Sequence, residues 1–165
     1  FEASRIAALL GHLDEEVGAL DKEIARLIDP EVSELLQSIP GIGPVCAATI
    51  AAEVGDPDRF ESPRKLVAYS GMDAAKYQSG KCDGDGQHMS KRGSAPLRDA
   101  LMTAADRARM HDPYFGDYYD SLRARGKHHY VAVSACGRKL CGVILAVLRE
   151  RRPYESRPSV QSGTE

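Results

Sequence analysis

Basic charge is scarce in the first part of this sequence. Residues 1–62 hold 4 Lys or Arg against 13 Asp or Glu, a balance of −9, whereas residues 63–165 hold 18 against 11, a balance of +7. The total of −2 would argue against a polyanionic partner if charge were spread evenly. Split this way it excludes none, because binding depends on the local field and not on the sum. Cysteine is sparse as well: the 4 thiols, at 46, 82, 136 and 141, never take the two-residue spacing of a zinc knuckle or redox motif. They read as packing thiols in a reducing cytosol. No apolar run approaches the roughly 20 residues of a membrane span, and the mixed, charged N-terminus is not a secretory signal. There is no initiator Met, so the chain reads as part of a longer protein. What is present, 42% hydrophobic and 28% charged residues, suffices for a real core, and the length suits one domain plus an appendage.

The appendage is an acidic heptad helix. Ile6, Leu10, Leu13, Val17, Leu20, Ile24 and Leu27 alternate at spacings of four and three, the 3.5-residue period of a coiled coil. An amphipathic helix lying on its own domain would show the same alternation. With Leu10, Val17 and Ile24 at a and Leu13, Leu20 and Leu27 at d, the flanking e and g positions include Asp14, Glu16, Asp21 and Glu23. Two copies would bring like charges together along both seams, so the expected partner is a different, more basic helix. Pro30 ends the arm, because it disfavours helical geometry at Asp29. The segment 1–30 is thus an arm, 31–152 a helical domain and 153–165 a polar, disordered tail.

Within 31–152 the sequence predicts a mainly α fold containing a helix–hairpin–helix and a short loop or β-hairpin near 76–93. A helix over 31–38 leads into Ile39-Pro40-Gly41-Ile42-Gly43-Pro44, then an Ala-rich helix over 45–54 with Gly55 as its C′ residue. Gly41, Ile42 and Gly43 are candidate phosphate contacts: glycine lets backbone approach an anion closely, and the N–H groups opening a helix attract one. A plain helical hairpin with PG and GP turns accounts for the same residues. Ser62-Pro63 starts a helix that stops at Gly71. The polar, glycine-rich stretch from Tyr77 to Ser94 follows, with a turn around Asp83–Gly86. Asp83 and Asp85 form a D-x-D pair that lacks the rest of a calcium loop. Ser94 caps a helix over 96–110.

Ser90 stands out in that stretch, beside Lys91 and Arg92 and just before a helix N-terminus. Such surroundings hold a phosphodiester and stabilise charge developing on its oxygens, and a serine hydroxyl can attack the phosphorus given a base or metal. A loop serine is more often a turn or capping residue. His88 reads as a bystander, and no partner base sits at an informative spacing. Further on, Tyr114, Phe115, Tyr118 and Tyr119 read as core, with stacking of bases on Tyr118 or Tyr119 the sharper alternative. The apolar helix 130–151 carries Arg138 and Lys139 away from its apolar face. These charges are either a solvated face or, with Lys81, Lys91, Arg92 and Arg98, a surface that follows phosphates.

The runs LLQSIPGIGPVCAATIAAEVGD, RF-S-P-KLVAYSGM, YQSGK and MSKRGSAPLRDALMTAA, in that order, closely resemble the C-terminal domain of the DEDD insertion-sequence transposases related to the Piv invertase, the bridge-RNA-guided recombinases. The stretch from PYFGDYYD to VLRE fits that domain's closing helices, so the resemblance covers roughly 33–154. It implies a DNA transposase or site-specific recombinase of the prokaryotic cytoplasm and nucleoid, working by phosphoryl transfer through a covalent serine–DNA link. It implies Ser90 of SKRG as nucleophile, Ser79 of QSG as second choice and Ser94 as a distant third. It also implies a RuvC-like domain, absent from this sequence, whose carboxylates bind divalent metal (Mg), so that this segment alone carries no cofactor and no strand cleavage. DNA, a guide RNA, further copies of the full-length protein and a coiled-coil helix from the missing part are the implied partners; a membrane is not. The rival readings are a non-catalytic helix–hairpin–helix nucleic-acid-binding module and a protein assembly module.

Overall fold

The computed structural model describes residues 2–74 and 88–156. It is mainly helical, with α1 (Glu2–Leu27), α2 (Pro30–Gln37), α3 (Pro44–Val54), α4 (Pro63–Ser70), α5 (Ala95–His111), α6 (Pro113–Ala124) and α7 (His129–Glu150), plus a 3₁₀ turn at Pro57–Arg59. Among the described residues the only β pairing is an isolated antiparallel bridge between Ala74 and Met89. That bridge lies at the base of the expected hairpin; its turn at Asp83–Gly86 lies outside the described residues.

Proline sets most of the helix starts. It occupies the first or second position of α2, α3, α4, α5 and α6, where its missing N–H would have had no intrahelical partner. Asp29, Ser94 and Asp112 cap from the preceding residue, their side chains accepting the N–H of Glu31, Leu97 and Tyr114. Pro30 therefore both stops α1 and opens α2. Ser62 precedes Pro63 as expected, but its side chain makes no capping bond.

α1 buries none of its residues. Its a and d side chains other than the half-buried Ile24 stay open to solvent, from 50% exposed at Leu13 to 79% at Leu27. Only its last turn leans on the body, where Ile24, Leu27 and Ile28 line a groove with Val32 of α2 and Val45, Ala48 and Ala52 of α3. Over the rest of its length no described part of the domain covers the heptad face.

α7 is the central helix, buried from Ala132 to Leu148 along its inner face. It is long and apolar enough to cross a membrane by length and composition, although Arg138 and Lys139 interrupt its apolar run. Most of that length is covered by the protein's own helices, with α2, α4, α5 and α6 packed around it. α5 packs on it, with Ala105 lying against Gly137, and Leu97, Leu101, Ala104 and Ala105 are fully buried. The segment expected as a tail from 153 is placed on the body as far as 156: the Tyr154 N–H donates to Ser38 Oγ at 2.8 Å, and Arg151 pairs with Glu31 at 2.8 Å. Residues 157–165 lie outside the description.

Candidate active site where α4 meets the start of α5

α4 ends at Gly71, whose left-handed φ of +70° favours glycine. Its N–H and that of Met72 close the helix on Ala68 and Val67 carbonyls. The chain then runs through Asp73 to Ala74, and residues 88–94 return alongside it. Ser90 N donates to the Asp73 carbonyl at 2.8 Å, Lys91 N to that of Gly71 at 3.0 Å and Ser94 N to that of Tyr69 at 2.8 Å. The two segments touch backbone to backbone: a Cβ at Gly93 would stand 2.1 Å from Tyr69 O, and one at Gly71 would stand 2.7 Å from Gly93 N. Lys91 takes a left-handed φ of 53°, an uncommon conformation for a residue with a side chain.

This zipper sets the half-buried Ser90 hydroxyl against the Asp73 carboxylate, to which it donates a hydrogen bond. The Gly71 carbonyl is a longer acceptor at 3.4 Å, and the Arg92 N–H donates to Ser90 Oγ at 3.4 Å. Asp73 is the residue that sequence reasoning missed. It stands 17 positions from Ser90, and no periodicity links them. His88 is exposed. Lys91 and Arg92 are exposed and take part in no ion pair among the described residues, which leaves their charge free for an anion. Ser94 is a capping residue. Ser79, Lys81, Asp83 and Asp85 lie outside the described residues. Among those described, no group of three or more His, Cys, Asp or Glu could hold a metal ion.

Two expected phosphate contacts also bond the protein's own backbone. Arg98 Nη1 donates to the Ser70 carbonyl at 3.3 Å. Arg138 Nη1 reaches the Met72 carbonyl at 3.4 Å and Ser134 Oγ at 2.9 Å. Arginines from α5 and α7 thus hold the backbone on either side of Gly71. Met72, fully buried, lies against Gly137, where a Cβ would stand 2.5 Å from its methyl carbon. Lys139 is also engaged, its Nζ 4.4 Å and 3.8 Å from the ring centres of Tyr114 and Tyr118. Arg109 lies 4.5 Å over Tyr119 and pairs with Asp106 at 2.7 Å, while the Tyr119 hydroxyl bonds His129 Nδ1 at 2.8 Å. The tyrosines are half-buried against the core, with cations over their ring faces.

The hairpin between α2 and α3 also serves the core. Ile39 and Ile42 are buried, so Ile42 presents its side chain to the interior and not to a ligand. Gly41 has a φ of +94°, and a Cβ there would stand 2.6 Å from Ala104 O and Ala108 N. Its lack of a side chain lets the hairpin lie on the backbone of α5. Gly43, the residue before α3, has open space around its Cβ position. The hairpin sits near residues 104–108 of α5 and the serine loop at its start, a separation of roughly 15 Å at 1.5 Å per residue.

The buried thiols are not reactive candidates. Burial pushes Cys136 up to about 11 and Cys141 up to about 12, so both stay protonated and inert at neutral pH.

The model of the transposase IS116/IS110/IS902 family matches residues 33–120. The uncharacterized 43.6 kDa protein of insertion element IS110 of Streptomyces coelicolor is 33% identical over 153 residues, 92% of this chain and 38% of that protein. The 44.8 kDa protein of insertion element IS116 of Streptomyces clavuligerus is 29% identical over 96% of this chain and 41% of its own length. A pilin gene-inverting protein of Moraxella bovis is 30% identical over 88% of this chain and 47% of its own length. The chain therefore spans less than half the length of these curated relatives.

Proposed function

The chain belongs to the transposase IS116/IS110/IS902 family, and from that premise we propose that it is the DNA-handling segment of an insertion-sequence transposase, with Ser90 as the nucleophile of strand exchange. The observation that carries the assignment is the seating of Ser90. Its hydroxyl is fixed against a carboxylate, it stands beside two exposed cations, and it precedes the N-terminus of a 17-residue helix. Nucleophile, charge compensation and helix dipole then act on one phosphate. In the reaction the serine oxygen replaces a strand oxygen on phosphorus, which conserves the phosphodiester for rejoining.

On this reading the RuvC-like domain lies elsewhere in the full-length protein and holds divalent metal, which when bound supplies Lewis-acid activation of phosphodiesters. The segment by itself then binds DNA without cutting it. A guide RNA and an oligomeric full-length protein belong to the same proposal and rest on the resemblance of the PGIG, QSGK and SKRG stretches. The solvent-open seam of α1 supports a helical partner.

The test is Ser90→Ala in the full-length transposase. Recombination and covalent protein–DNA adduct should fall at least roughly 10³-fold, the scale on which loss of a nucleophile is felt, with duplex affinity retained. Unchanged recombination would favour the non-catalytic binding module, a reading the open backbone at Gly43 supports.

A further inference from the structure

A serine hydroxyl is a weak nucleophile until a base takes its proton. We propose that Asp73 is that base, an assignment that rests on Ser90 being the nucleophile. Asp73 is the carboxylate to which the hydroxyl donates; the other acceptor, the Gly71 carbonyl at 3.4 Å, is not basic. The backbones that carry acid and base are fixed to each other by the Ser90 N to Asp73 O and Lys91 N to Gly71 O bonds. The base-bearing segment is in turn fixed to the core, with Met72 buried against Gly137 of α7 and its carbonyl held by Arg138. A base must lie within hydrogen-bond reach of the proton it removes and stay there, and this site meets both conditions. The Arg92 N–H, 3.4 Å from Ser90 Oγ, stabilises charge gathering on that oxygen as the proton departs.

The step balances as follows. The Oγ–H bond breaks and its proton passes to the Asp73 carboxylate. The Oγ–P bond forms, the bond from phosphorus to the departing strand oxygen breaks, and that oxygen takes a proton from water. On rejoining, an incoming strand hydroxyl gives its proton to the hydroxide left by that water and displaces Oγ, and Asp73 returns its own proton to serine. The count of phosphodiesters is unchanged in each direction.

The experiment measures single-turnover formation of the covalent adduct by the full-length transposase at saturating DNA. Asp73→Asn keeps the shape and one acceptor oxygen, so a carboxylate that only positions the serine is replaced without loss. A base is not, and the rate should fall about 10²–10⁴-fold, the usual contribution of general base catalysis, with DNA affinity unchanged. A rate within about threefold of the parent overturns the assignment. Asp73→Ala supplies the second arm: formate should restore part of its lost rate and chloride none, and absence of rescue by formate counts against Asp73. Ser90→Ala separates the two claims. If it still forms adduct, the nucleophile is wrong; if it is inactive while Asp73→Asn is active, only the base is wrong.

Discussion

Gly71 and Gly93 meet so closely that neither position has room for a methyl group, and the placement of Ser90 follows from that contact. A Cβ on Gly93 would press on the Tyr69 carbonyl, which is backbone and already accepts the Ser94 N–H. The loop would have to lift, and the Asp73–Ser90 bond would open with it. Gly93→Ala should therefore cost at least about 1–3 kcal/mol in urea unfolding of the chain, the range for forced overpacking. It should also depress adduct formation while leaving Ser90 itself in the sequence. An unfolding midpoint and adduct rate both equal to the parent's would show that the contact does not seat the serine. At this scale the sequence was legible where chemistry is local: Ser90 beside two cations, and Ser94 before a helix. It was not legible for Asp73, Arg98 or Arg138. A charge reads the same whether it faces solvent or a carbonyl 28 or 66 residues away.

The helices were legible nearly to the residue, because their ends are set by side chains next to them. Pro30, Pro44 and Pro63 open three helices, Gly71 closes one, and Ser94 caps another. The function of the PGIG hairpin was less legible. Gly41 supports the same turn whether or not an anion approaches it, and its place against the backbone of α5 could not be read from the turn signal. The heptads of α1 were legible as a period, and the structure adds that the seam has no cover within the domain. Leu13 and Leu20 are 50% and 62% exposed, so replacing both by Asp should change the stability of this chain by less than about 0.5 kcal/mol, as expected of surface sites. If the proposed partner helix covers this seam in the full-length protein, the same double substitution should weaken assembly measurably by sedimentation, because a charge would enter a d position. A marked fall in the melting temperature of the chain alone would mean that α1 is held by its own domain after all.

Over the whole molecule, the balance of +7 in residues 63–165 overstates the charge available to a nucleic acid. Arg98, Arg109, Arg138, Lys139, Arg149 and Arg151 all contact carbonyls, carboxylates or rings of the protein itself, although Arg138, Arg149 and Arg151 remain exposed. These contacts knit the segments around α7 together, so much of the basic half is structural. Lys91 and Arg92 are different: exposed, outside every ion pair among the described residues, and next to the candidate nucleophile. Composition could show the asymmetry between the two halves but not this partition, which depends on what each cation touches after folding. Salt dependence separates the two classes. Each lysine or arginine that neutralises a phosphate releases condensed counterions, and log K against log[salt] steepens by about 0.9 per contact on duplex DNA. Lys91→Gln and Arg92→Gln should each flatten the slope by about 0.9 without altering the unfolding midpoint. Arg98→Gln should lower that midpoint, because the Ser70 carbonyl loses its donor, and should leave the slope as it was. A slope that flattens equally for Arg98→Gln and Arg92→Gln would place Arg98 on the DNA, and the basic half would then act as one undivided phosphate-binding surface.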